Sequence, residues 1–192
     1  IAMDVGDLTS SAEDVGEILP GIKFKISDSN GQEVQNGEIG SLWIKGDNVM
    51  LGYYNAVEAT RKILKNGWLD TGDLVSMEKE NVLTICGREK DLIIHKGLNI
   101  YPQEIEQVLL SHPLVFRAAV IGKYDEAYGQ IPVAYVVLKG AIGKAKNSLK
   151  RFCSGRLAAY KVPRKIMYVD DLPLNSTGKV DKKRLGNNRS LI

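Results

Sequence analysis

Residues 87–106 read Gly87-Arg88-Glu89-Lys90-Asp91-Leu92-Ile93-Ile94-His95-Lys96-Gly97-Leu98-Asn99-Ile100-Tyr101-Pro102-Gln103-Glu104-Ile105-Glu106. Four charges of alternating sign follow the glycine, and a short apolar run then leads through Lys96-Gly97 to Pro102. Proline suits the first position of a helix, where its missing N–H is one that a helix start leaves unpaired. Glu104 and Glu106 fall in the first turns, where the helix dipole favours carboxylates. Ile105, Val108 and Leu109 make one apolar stripe, and His112-Pro113 stops the helix. The sequence before this stretch is β-rich and the sequence after it is mixed, so the stretch reads as a hinge between two domains.

Upstream, residues 1–18 have weak periodicity and read as loop with one turn of helix. Ile22, Phe24 and Ile26 alternate with lysines, a half-buried strand. The turn Asp28-Ser29-Asn30-Gly31 follows, and then a second strand at residues 38–45. Asn55 is read as the N-cap of a short helix through Leu64, with Glu58 completing a capping box. Asn66-Gly67 ends that helix, and strands are expected at residues 68–75 and 82–86. Downstream, residues 115–121 and 131–138 read as strands, the second nearly all apolar and therefore central. Leu149, Phe152, Cys153 and Leu157 mark a second helix, residues 166–169 a third strand, and a short basic helix follows the loop at 172–179. The expected fold is α+β. A small, β-barrel-like antiparallel subdomain precedes an α+β domain with a three-stranded sheet flanked by helices and a short β-hairpin.

An apolar fraction of 44% with 26% charged residues is that of a globular protein. The net charge of +3 is small and dispersed apart from the tail, which reads as a solvated helix face rather than a nucleic-acid surface. Cys86 and Cys153 cannot build a disulfide framework; both read as small buried hydrophobes, which fits a reducing cytoplasm. The longest apolar run is far too short to span a bilayer. Ile1-Ala2-Met3-Asp4 is not an initiation sequence, and the expectation is a piece of a longer protein. Thr177-Gly178-Lys179 lacks the rest of a Walker loop. There is no GxGxxG, no zinc spacing and no serine elbow, and no metal site is expected. With His95 and His112 the only histidines, a Ser-His-Asp or Cys-His mechanism has little to stand on.

Four segments, taken in order, carry a resemblance. They are Gly37-Glu38-Ile39-Gly40-Ser41-Leu42-Trp43-Ile44-Lys45-Gly46 continuing to Gly52-Tyr53-Tyr54-Asn55; Gly67-Trp68-Leu69-Asp70-Thr71-Gly72-Asp73-Leu74; the stretch 87–106; and Tyr160-Lys161-Val162-Pro163 with Leu172-Pro173 and Ser176-Thr177-Gly178-Lys179-Val180. Together they resemble the C-terminal part of the acyl-adenylate-forming superfamily: acyl-CoA synthetases, luciferases and peptide-synthetase adenylation domains. The resemblance implies a reaction in which an acid and ATP form an acyl-adenylate and a thiol, usually that of CoA, then takes the acyl group. It also implies residues 1–88 as the last part of a large N-terminal domain and 89–192 as the small C-terminal lid, with a hinge near Lys90. ATP, Mg2+ and CoA are the implied cofactors. A fatty acid, long-chain included, is the expected substrate, and the isolated chain is expected to be inactive. Transfer to a carrier-protein phosphopantetheine is the enzymatic alternative, and a binding module that kept only the fold the non-enzymatic one.

The same resemblance assigns roles. Asp73 would bind the ATP ribose diol, where the residues alone favour a turn aspartate. Arg88 would support the ribose or phosphate; its plain reading is an ion pair with Glu89 or Asp91. Lys179 would be the catalytic adenylation lysine, Lys90 the pivot, and Gly97 the residue lying along the pantetheine; otherwise Lys179 is a solvated tail lysine and Gly97 a turn glycine. Glu104 reads as a helix-start carboxylate only. Ile94-His95-Lys96 stands where the family usually has Ser-Gly, and Lys123-Tyr124-Asp125 where it has Val-Pro-Asp. The wording Asn99-Ile100-Tyr101-Pro102 is nearer to acyl- or aryl-CoA synthetases than to peptide-synthetase domains.

Overall fold

A computed structural model describes residues 2–3, 14–79, 82–140 and 148–187. The chain divides into two compact units, Ile1–Lys90 and Asp91–Ile192. In the first lie β1 (Ala2–Met3), β2 (Asp14–Ile18), β3 (Lys23–Ser27), β4 (Gly40–Lys45), α1 (Val57–Ile63), β5 (Leu64–Lys65), β6 (Trp68–Lys79) and β7 (Val82–Arg88). The sheet order is β1-β2-β7-β6-β4-β3, with β5 added on β6, and every pairing is antiparallel. Alternation along β4 turns Leu42 and Ile44 inward, where they meet Ile26, Val75 and Leu83. Register shifts interrupt β4–β6 between Ser41 and Trp43, and β6–β7 between Leu74 and Val75. Such bulges bend and twist their strands, the local origin of a curled, barrel-like sheet.

Three local expectations are corrected here. Residues 14–18 are strand β2 rather than loop, because pairing with β7 overrides their weak propensity; residues 1 and 4–13 of the expected loop lie outside the described residues. Asn55 is not the N-cap of α1. Its backbone is left-handed (φ 52°), whereas a capping residue is extended, and the N-cap is Ala56 without a side-chain bond. The helix start is closed instead by Thr60, whose Oγ1 accepts the N–H of Tyr53 at 2.9 Å and donates to the Ala56 carbonyl at 3.0 Å. Glu58 pairs with Arg61. Asn66-Gly67 does not follow the helix directly but turns β5 into β6.

A single 3-10 turn, Glu89–Asp91, opens the way to β8 (Ile93–His95), β9 (Leu98–Ile100), α2 (Pro102–Leu110), β10 (Val115–Asp125), β11 (Gly129–Leu138), α3 (Ser148–Ser154), β12 (Lys165–Tyr168) and α4 (Lys182–Asn187). Strand β11 is central. It is antiparallel to β10, parallel to β12 through residues 133–136, and joined to the β8–β9 hairpin by the one pair Gly129↔His95. One face of β10–β11 packs Val120, Ala134 and Val136 against Ile105, Leu109 and Leu149. The other packs Ile121, Val133 and Tyr135 against Leu172 and Leu185. A strand covered on both faces is apolar throughout, which is why β11 reads as an unbroken hydrophobic run. Strands β10 and β11 run beyond their apolar stretches, to Asp125 and from Gly129, and Leu157 is buried just past the end of α3.

The link from core to tail is Glu106, whose Oε1 accepts the fully buried N–H of Val120 at 2.7 Å and pairs with Lys182 Nζ at 2.8 Å. Arg117 and Asp171 form a more exposed pair at 3.1 Å. Removing the Glu106 acceptor strands a buried donor, a cost of about 1–3 kcal/mol; breaking the exposed pair costs about 0–1 kcal/mol. Chemical denaturation of the Glu106→Ala and Arg117→Ala variants is expected to return that ranking.

Candidate functional site

In the first unit, β6 and β7 pair Asp73 directly opposite Arg88. The side chains meet across the strands, Arg88 Nε to Asp73 Oδ1 at 2.8 Å, and Arg88 Nη1 donates to the Thr71 carbonyl at 3.1 Å. The turn before Asp73 is satisfied by other groups. Asp70 accepts the Gly72 N–H at 2.9 Å, and Thr71 Oγ1 accepts the Asp73 N–H at 3.1 Å while donating to the Leu42 carbonyl. The ion pair that Arg88 makes is therefore with Asp73, not with Glu89 or Asp91. Asp73 keeps 21% of its side chain exposed and Arg88 half, so the pair forms a shelf open to solvent. A carboxylate held this way retains lone pairs for two further donors.

Lys90, in the 3-10 turn, is exposed and is the last residue of the first unit. The second unit carries Gly97 and Lys179. Lys96 (φ 49°) and Gly97 (φ 79°) form the two-residue turn between β8 and β9, a turn whose twist requires positive φ at both positions. The turn alone thus accounts for a glycine at 97. A Cβ built there meets nothing within 4 Å, so the space beside it is open. The residues where this sequence departs from the family wording hold the hairpin down. His95 Nδ1 donates to the Gln130 carbonyl at 2.6 Å, and its ring stacks on Tyr128 at 5.2 Å between centroids. Likewise Lys123 Nζ donates to the Gly186 carbonyl at 2.8 Å, clasping α4 to β10.

Lys179 lies at the end of an exposed turn closed by the bridge Leu174↔Val180. Among the described residues its ammonium makes no ion pair. The turn is tied to the body through buried Leu172 and through Lys182 on Glu106. Glu104, expected only to favour the helix start, also binds Lys161 Nζ at 2.7 and 2.9 Å, fastening α2 to residues 160–163. Of the five expected site residues, the structure brings Asp73 and Arg88 together; Gly97 and Lys179 belong to the other unit. Thr71 and Asn175 were not anticipated. Thr71 had a signal in its place before Gly72, while the contacts of Asn175 arise only once the turn is closed.

Comparison with known proteins agrees with the motifs. Residues 2–54 match the model of the AMP-binding enzyme family, and residues 104–179 that of the AMP-binding enzyme C-terminal domain. The chain is 45% identical over 146 residues to 2-succinylbenzoate--CoA ligase of Bacillus mycoides (strain KBAB4), covering 76% of this chain and 30% of the relative. It is 41% identical over 175 residues to the putative acyl-CoA synthetase YngI of Bacillus subtilis (strain 168), covering 90% and 32%. Among solved structures, o-succinylbenzoate CoA synthetase (MenE) from Bacillus subtilis in complex with the acyl-adenylate intermediate OSB-AMP superimposes with a TM-score of 0.84 at 40% identity, over 92% of this chain and 36% of that one. The same enzyme in complex with ATP and magnesium ion gives 0.80 at 39%, over 93% and 36%. The chain belongs to the acyl-adenylate-forming superfamily and corresponds to a C-terminal portion of its members. It spans about a third of the length of these relatives.

Cys86, expected to be a buried thiol, is only partly buried, with its Sγ 3.7 Å from Ser76 Oγ. Cys153 is fully buried in the core, and burial pushes its thiol from the ordinary 9.0 up to about 11, with the Arg156 charge pulling back by less. Between those values the folded state keeps a proton that the unfolded state has lost, so stability falls as pH rises through the window. Burial raises Tyr135 and Tyr168 as well, which adds to the decline above their ordinary range. Melting temperatures are expected to drop from pH 9 to 11, less steeply in Cys153→Ala. Arg88→Ala, by contrast, removes a half-exposed partner and should leave stability within about 1 kcal/mol of the parent by the same measurement at pH 7.

Proposed function

We propose that this chain is the C-terminal part of an AMP-forming acid–thiol ligase that activates a carboxylic acid with ATP and passes the acyl group to CoA. The observation that carries the reading is the Asp73–Arg88 pair, a partly exposed carboxylate steadied by a guanidinium, while the N–H groups of its turn are met by Asp70 and Thr71. In this reading Asp73 accepts both hydroxyls of the ATP ribose, and Arg88 fixes the carboxylate and adds positive charge on the nucleotide side. Lys179 brings its ammonium to the carboxylate oxygen and the α-phosphate. That oxygen attacks the α-phosphorus, pyrophosphate departs with the bonding electrons, and the acyl-adenylate forms. Charge growing on the phosphate oxygens is what a positioned cation stabilises most. The thiol then attacks the acyl carbonyl and AMP leaves.

The boundary between residues 88 and 89, with Lys90 as pivot, is proposed for the change between the two half-reactions, since a hinge needs only to absorb backbone rotation. The open space beside Gly97 suits an extended ligand such as the pantetheine arm. No group of three or more His, Cys, Asp or Glu capable of holding a metal occurs among the described residues. Mg2+ is assigned to the ATP phosphates, since it commonly binds through substrate phosphates. For the acid, an aromatic carboxylate is proposed ahead of a long-chain fatty acid, because the relative sharing 45% identity is named for 2-succinylbenzoate. Two cysteines present as thiols suit a reducing compartment, the basis for assigning the cytoplasm.

The test is AMP release by the full-length protein over a panel of aromatic and fatty acids, with and without CoA. Release dependent on one acid class and on CoA is expected; release that CoA never stimulates would count against thioester formation. Lys179→Ala is expected to slow acyl-adenylate formation by about 100-fold or more. Its capacity to convert supplied acyl-adenylate to thioester should survive. Undiminished adenylate formation by that variant would remove Lys179 from the mechanism. The isolated 192 residues are expected to show no pyrophosphate exchange.

A further inference from the structure

Residues 175–179 are exposed throughout, so packing does not hold the backbone that carries Lys179; hydrogen bonds do. Asn175 is at the centre of them. Its side-chain Oδ1 accepts the N–H of Thr177 at 3.0 Å, the hydroxyl of Thr177 at 2.8 Å and the N–H of Lys179 at 3.0 Å. Its backbone N–H donates to the Lys179 carbonyl at 2.8 Å, and its carbonyl accepts the Gly178 N–H at 3.0 Å. Both polar groups of the Lys179 backbone therefore end on Asn175. Gly178, at φ 77° with nothing within 4 Å of a built Cβ, supplies the left-handed step that folds the chain back.

We propose that Asn175 is a positioning residue for the adenylation lysine, setting the direction in which the Lys179 side chain leaves the turn. The proposal rests on the reading of Lys179 given above. A lysine has four rotatable bonds, so a misdirected Cα displaces its ammonium by more than the local shift. A misplacement of about 1 Å costs up to about a hundredfold in a positioned reaction. The amide oxygen fixes that origin through bonds to the backbone and to the Thr177 hydroxyl.

The experiment compares Asn175→Ala, Asn175→Asp and Lys179→Ala in the full-length protein, measuring acyl-adenylate formation, thioester formation from supplied acyl-adenylate, and melting temperature. Asn175→Ala is expected to lower the rate of adenylate formation by about ten- to a hundredfold. The second half-reaction and the melting temperature should stay at parental values, because residues 175–179 are exposed. Asn175→Asp keeps the acceptor and should recover most of the lost rate. Equal losses in both half-reactions, a lowered melting temperature, or no recovery with aspartate would overturn the positioning role. If Lys179→Ala is impaired while Asn175→Ala matches the parent, this proposal fails and the reading of Lys179 stands. If neither variant is impaired, that reading fails with it.

Discussion

A carboxylate that accepts a buried backbone N–H and a lysine at once is the pivot of the second unit. Glu106 projects from α2, takes the N–H of Val120 where β10 is fully buried, and meets Lys182 at the first residue of α4. The three elements share no covalent proximity: α2, the central sheet and the tail are brought to one oxygen. Burying such a group without partners would cost several kcal/mol; with two, it becomes a fixed anchor. Leu185, buried against Tyr135 and Leu172, adds the apolar half of the same attachment. The segment bearing Lys179 is thereby held at both ends while its tip stays in water.

What could be read from residues alone followed from strong local rules. Pro102 with its two glutamates fixes the start of α2, and the apolar run of β11 marks a strand covered on both faces. The motif segments identified the superfamily and pointed to Asp73, Arg88 and Lys179 one at a time. Their environments were harder to read. Asp73 faces Arg88 because of a register shift between Leu74 and Val75, and no local pattern shows where a strand will slip by a residue. Asn55 satisfied the capping pattern, yet the turn placed it at positive φ and gave the task to Thr60. Residues 14–18 became strand only because β7 offered an edge. For Asp73 and for residues 14–18 a neighbouring strand decided the outcome; for Asn55 the local turn did.

The β8–β9 hairpin illustrates how a departure from family wording is absorbed. Lys96 adopts a left-handed backbone, which costs a non-glycine residue about 1–2 kcal/mol. Its ammonium lies 4.4 Å from the Tyr128 ring centre, and Arg164 approaches the same ring at 4.4 Å. Each such contact contributes about 0.5–1 kcal/mol at an accessible site, and His95 adds a stacked ring and a hydrogen bond to β11. The side chains that replace Ser-Gly thus offset the strain of the turn they occupy. They also join the hairpin to the sheet where only one residue pair, Gly129↔His95, connects the backbones.

The turn at residues 174–180 closes on itself: its bonds run from Asn175 to Thr177, Gly178 and Lys179, and its two ends bridge. The bonds that Asn175 makes stay within residues 175–179, so repacking of β10, β11 or the helices reaches the local frame of the lysine only through the ends of the turn, where Val180 packs against the core. Drift in stability and constancy of chemistry become separable over evolutionary time. The same independence makes the turn portable: grafted onto another antiparallel pair of suitable spacing, it would bring its own internal order with it.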